Sequence, residues 1–156
     1  MVIGDLDGNC HAILKNTYVS HYDWISGREL LAHCTIEGKK SMFRIDVVSE
    51  AWVEYDMPYF HIEGQNPDIH CNLSPNGNYI IGDGYDFRGY RAIMAYSLKT
   101  GKERTLLKVK TLKPSSIDVR CDLHARFVWG GRAISFDTTH HGKREIAVIS
   151  PDALDF

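Results

Sequence analysis

The chain has 156 residues, enough for one ordinary domain with a buried core. Apolar residues make up 44% and charged residues 24%, a globular and not a disordered composition. Eighteen Lys and Arg against 20 Asp and Glu give a net charge of -2, so no basic excess points to nucleic acid. Apolar runs are short, as at Ala147 to Ile149, so no membrane-spanning helix and no membrane partner are expected. Asp5 and Asp7 follow directly on Met1 to Gly4, which argues against a secretory leader.

Four cysteines, at 10, 34, 71 and 121, form no Cys-x-x-Cys pair, so a zinc ribbon or thioredoxin-type motif is excluded. They are expected to be buried, reduced thiols. The chain also carries eight histidines, and their placement is the main functional clue.

Residues 1–15 read as two short strands joined through Asp7-Gly8-Asn9. Val19 to Trp24 is strand-like and runs into a Ser-Gly turn. Gly27 to Cys34 has some helical propensity, but its place in a repeat favours a strand. Ser41 to Val48 and Ala51 to Tyr55 continue the series. Ile69 to Leu73 leads through Ser74-Pro75-Asn76-Gly77, a turn in which Gly77 is expected at positive φ, to Asn78 to Gly82. Arg91 to Leu98 alternates Ile93, Ala95 and Ser97 with Ala92, Met94 and Tyr96. Glu103 to Val109 follows Thr100-Gly101. Asp122 to Phe127, Arg132 to Phe136 and Arg144 to Ser150 complete the set, divided by Gly130-Gly131 and His141-Gly142. No stretch has apolar residues at helical spacing. The fold class is all-β, built from hairpins.

Three segments repeat. Each has a histidine, a large apolar residue three positions on, a turn, and an apolar strand: His21 with Trp24, His70 with Leu73, His124 with Phe127. The histidines stand 49 and 54 residues apart, a period that suits four-stranded propeller blades. The expected architecture is a partial β-propeller of about three to four antiparallel blades in a single domain, 1–156. Residues 1–15 supply outer strands of one blade, 17–56 and 66–110 are blades, and 118–152 is an incomplete one. A closed ring usually needs more blades, so the chain is read as a piece of a longer propeller or as one that self-associates through open edges.

Inner strands of neighbouring blades line the central channel, so equivalent residues lie at similar depth. His21, His70 and His124 are therefore expected to converge. Imidazoles so placed can hold a metal ion, or act as a base beside one. Asp122 stands two residues before His124, on the same face if both lie in a strand. Together with two imidazoles it suits a divalent ion such as manganese. The large apolar partners of the repeat, Trp24, Leu73 and Phe127, are expected in the blade cores. Asp83 and Asp137 end equivalent strands and are read as ties between blades. His140-His141 is read as a solvated turn, and His11, His33 and His61 as structural.

The Ser74-Pro75-Asn76-Gly77 turn before an apolar strand resembles the repeat of TolB-like, WD40-like propellers. Ser20 to Trp24, His70 through Gly82-Asp83-Gly84, and Arg120 to His124 followed by Ala133 to Asp137 resemble the C-terminal blades of oligogalacturonate lyases, over about residues 5 to 152. Such lyases are seven-bladed propellers that cleave pectin oligomers in the cytoplasm by β-elimination with manganese. The resemblance implies that His21 is the general base and that His70 and His124 ligate the metal. The family's last ligand segment is Gln-x-x-His-x-His. Here Val119, Asp122 and His124 stand in its place, so the glutamine is missing and one histidine is aspartate.

The implied substrate is an anionic oligogalacturonide. His21 would take the C5 proton next to the uronate carboxylate, and the metal would stabilise the charge that develops there. Arg120 and Arg126 are candidates for binding the carboxylate, or for ion pairs between blades. The alternative is a non-catalytic TolB-like propeller acting as a protein-binding or structural module, since fold does not fix function.

Overall fold

A computed structural model describes residues 1–15, 17–55, 69–84, 89–112, 120–154 and 156. These residues form thirteen strands, with short 3-10 turns as the remaining helical structure. By contacts the chain divides into two compact units, Met1–Met57 and Pro58–Phe156.

The first unit opens with β1 (Val2–Gly4) and β2 (Cys10–Ala12), a two-stranded hairpin. An antiparallel meander follows: β3 (Val19–Trp24), β4 (Glu29–Ile36), β5 (Lys39–Asp46) and β6 (Trp52–Tyr55). β4 is a strand, as the repeat requires, and nearly all of it is buried. Leu30, Ala32, Cys34 and Ile36 project from one of its faces. They pack with Phe43, Ile45, Val47, Ile13 and Leu14, and Met1 and Ile3 lie against that cluster. Burial pushes the Cys34 thiol up to about 11, so it remains protonated and inert at neutral pH.

The second unit holds two sheets. One is a meander of β7 (Cys71–Leu73), β8 (Tyr79–Asp83), β9 (Tyr90–Ser97) and β10 (Glu103–Lys110). The other has three strands, β11 (Arg126–Val128), β12 (Ala133–Thr138) and β13 (Glu145–Ile149). Every residue of β9 from Arg91 to Ser97 is buried, so its period-two pattern belongs to a central strand covered on both faces. Ile81, Ile93, Ala95 and Val109 form one core with Leu123, Ala125, Ile134 and Phe136.

The turn at 74–77 is built as expected. Gly77 has φ +71, and its N–H donates to the Ser74 carbonyl at 2.8 Å. The Ser74 hydroxyl accepts from the backbone N–H of Asn78 at 3.1 Å and of Tyr79 at 2.9 Å. The sheets are therefore propeller blades with hairpin connections, and the fold is an all-β partial propeller.

Three expectations need correction. Trp24 is not core: it is 48% exposed. It lines an open groove of about 390 Å³ with Tyr22, Val2 and Gly4, while Leu30, its cross-strand neighbour, takes the buried place. Leu73 and Phe127, at the equivalent positions, are only half-buried. Cys10 is exposed, because β2 belongs to a two-stranded hairpin, while the other three thiols are buried; all four are free. Asp122 and His124 do not lie in a strand, so period-two geometry does not relate them.

Candidate functional site at the seam of two blades

β7 and β11 run beside each other where the two sheets of the second unit meet, and polar ties cross that seam. The Phe127 N–H donates to the Asn72 side-chain carbonyl at 2.8 Å. Asp83, 2% exposed at the end of β8, reaches both blades. One carboxylate oxygen accepts from the His70 backbone N–H at 3.1 Å and lies 2.9 Å from His70 Nδ1. The other accepts from the His124 N–H at 2.8 Å. Asp83 thus does what its place suggested: it ties blade to blade through backbone donors.

The same contacts bring His70 and His124 together, with ring centroids 4.1 Å apart and planes inclined at 61°. His124 is held at φ +44, a left-handed conformation that non-glycine residues adopt at a cost. Its bond to Asp83 offsets part of that cost. His124 Nδ1 lies 3.5 Å from an Asp137 carboxylate oxygen. His70 therefore carries a hydrogen-bonded carboxylate at Nδ1, the arrangement that fixes tautomer and ring orientation in metal-ligating histidines, while His124 has a looser charge contact with Asp137 and is positioned through its backbone bond to Asp83.

Asp122 lies in this neighbourhood. Ligand atoms from His70, Asp122 and His124 fall within 4.8 Å of one another. Its carboxylate is also committed to two arginines: Arg91 at 2.6 Å, and Arg120 through two bonds at 2.7 Å. Arg91 and Asp122 are both nearly fully buried. Burial would raise the Asp122 and Asp83 carboxyls. For Asp122 the Arg120 hydrogen bonds and the charges of Arg91 and Arg120 outweigh it. For Asp83 the His70 contact and the backbone donors do the same. Both carboxyls sit below the usual range and stay ionised.

Arg120, expected as a substrate contact, holds Asp122. Arg126 is exposed on β11. His21 lies half-buried on β3 of the first unit, with His33 as its cross-strand neighbour. His61 and Val119 fall outside the described residues. His140-His141 does form an exposed turn.

The sequence reading missed how closely aspartate and histidine are coupled. A signal was present: Asp83 and Asp137 each follow their histidine by 13 positions. By strand register His33, 3% exposed, occupies the equivalent place opposite His21.

No protein-family model matches the chain, and no curated protein matches it. Among solved structures, the chain is similar to the crystal structure of TolB from Acinetobacter baumannii, with a TM-score of 0.68 at 13% identity. That match covers 97% of this chain and 35% of the other. It is also similar to a putative TolB from Agrobacterium tumefaciens, with a TM-score of 0.53 at 18% identity over 81% of this chain and 40% of that one. The chain thus spans little more than a third of their lengths. At these identities the likeness concerns the fold alone: this is a set of TolB-like β-propeller blades.

Proposed function

We propose that the seam histidines form a divalent-cation site that serves lyase chemistry on an anionic uronate oligosaccharide in a complete propeller. The observation that carries this reading is the pair of adjacent imidazoles, one of them hydrogen-bonded at Nδ1 by the buried Asp83. The donor set fits a divalent ion. His70 and His124 would hold it, and manganese is the ion implied by the resemblance. Asp122 would join them only by exchanging an arginine hydrogen bond for the ion. A bound cation supplies positive charge that stabilises a uronate carboxylate as the neighbouring C5 proton leaves.

The remaining roles belong to the chain's own side chains. His21 acts as general base and takes the C5 proton. The C4–O4 bond then breaks, its electron pair leaves on O4, and a C4=C5 double bond remains. Asp83 orients the His70 ring and anchors the His124 backbone. Arg126 and the outer edge of Arg120 attract the substrate's carboxylates.

The second reading is a non-catalytic module, in which Asp83 and Asp122, engaged with internal partners, serve as a structural lock between blades. Equilibrium dialysis with manganese separates the two, followed by a lyase assay that reads the ultraviolet absorbance of the unsaturated product. The lyase reading expects bound manganese that is lost in His70→Ala and His124→Ala. It also expects turnover, in a completed propeller, that is lost in His21→Ala with metal content unchanged. Absence of manganese binding by the unaltered chain would leave the structural lock as the function of the seam.

A further inference from the structure

A second cluster of metal-ligating side chains lies on the hairpin between β12 and β13 and shares no residue with the seam. Thr138 and Glu145 face each other as the last cross-strand pair. Beyond them the chain turns back through Thr139 to Arg144, with the Gly142 N–H donating to the Thr139 carbonyl at 2.9 Å. That turn places His140 and His141 side by side, with ring centroids 3.7 Å apart and planes inclined at 44°. Both rings are anchored. His140 Nδ1 lies 2.9 Å from the hydroxyl of Thr138, which is itself fully buried. His141 Nδ1 bonds the Glu145 carboxylate.

From this geometry we infer that the β12–β13 hairpin is a binding site for zinc or a similar borderline transition ion, held by His140, His141 and Glu145. One ligand atom from each of the three lies within 4.8 Å of the others. Zinc bound tetrahedrally at 2.0–2.1 Å holds two ligating nitrogens about 3.3 Å apart, a spacing that neighbouring rings reach by small rotations. Two imidazoles and one carboxylate suit zinc, nickel or copper and do not suit calcium or magnesium. Three protein ligands leave a fourth position for water.

The neighbouring cations do not block the site. The Arg144 guanidinium is directed to the Arg120 carbonyl at 3.5 Å. Lys143 lies on the exposed turn, where its flexible ammonium stays in solvent. Thr138 fixes one ring on the rigid end of β12, so part of the ordering cost is met before the ion arrives.

The test is calorimetric titration of the metal-free full chain with zinc, paired with cobalt titration read by visible absorption. The wild-type chain should show a zinc equivalent whose cobalt form has the strong absorption of a tetrahedral site. In His140→Ala/His141→Ala that equivalent should weaken by about 100-fold or more, and in Glu145→Gln by about 10-fold. The far-ultraviolet circular dichroism should not change, because His140 and His141 are exposed and Glu145 stands half-buried at the first position of β13. The same equivalent should persist in His70→Ala/His124→Ala, which separates this site from the seam. A hairpin double variant that titrates like the wild type would overturn the assignment, as would a zinc equivalent lost only with His70 and His124.

Discussion

Asp83 holds three donors with two oxygens and is almost completely removed from water. Asparagine in its place keeps one acceptor but turns an amide N–H₂ toward backbone N–H groups or toward His70. Asp83→Asn should therefore cost about 2–3 kcal/mol, the usual scale for leaving buried hydrogen-bond partners unsatisfied. Asp137 is a third exposed and sits 3.5 Å from its histidine. Asp137→Asn should cost under about 1 kcal/mol. Urea denaturation of the two variants checks the contrast, and equal losses would mean that Asp83 is not the tie described. At this scale the sequence was partly legible. The histidines were visible through their shared register. The tie made by Asp83 was visible too, from its place at a strand end, but its imidazole partner and the capture of Asp122 by two arginines were not. Only packing shows that one binds imidazole and backbone while the other is taken by Arg91 and Arg120.

At the scale of elements, the strands could be read because turn chemistry punctuates them: Asn76-Gly77, Thr100-Gly101 and His141-Gly142 each close a hairpin. The segment 121–125 could not be read the same way. Its residues alternate well enough for a strand, but the tertiary bond from His124 to Asp83 holds it in an irregular path. Gly82 shows how one element shapes the site. It pairs with Cys71, and a Cβ there would stand 2.8 Å from the Ile69 side chain and 3.3 Å from the His70 carbonyl. The absence of a side chain lets the stretch before β7 lie close against β8, which sets His70 beside Asp83. Gly82→Ala should cost about 1–3 kcal/mol through overpacking. Under the proposed function it should also weaken manganese uptake at the seam along with stability, whereas substitutions in the exposed 140–141 turn should leave both intact. Thermal melts and the dialysis assay together read this; an alanine variant as stable as wild type would show that Ile69 yields freely.

For the molecule as a whole, the period of the repeat gave the blades, because a blade is a local object whose strands follow one another in the chain. Convergence of all three histidines is a different kind of claim, since it depends on the arrangement of blades and no local signal encodes it. Acid stability is another whole-molecule property, and here the carboxylates agree in sign. Hydrogen bonds from the Ser49 backbone, with help from Arg28 and Val48, hold Asp46 at about 2 despite the opposing effect of desolvation. Asp83 and Asp122 are also lowered, against the effect of burial, by His70 and by the Arg91–Arg120 pair. Each of these folded-state values lies below the unfolded aspartate value of about 3.9. Their contributions are therefore fully present well above pH 4 and are lost as pH falls toward 2. Urea midpoints measured at pH 7, 5, 4, 3 and 2.5 should drop steeply only over the last steps. The Asp83→Asn variant, which has one fewer depressed carboxylate, should start lower and fall with a shallower slope. Parallel curves for variant and wild type would show that Asp83 does not take part in the acid transition, and would remove the buried carboxylate as the lock between these two blades.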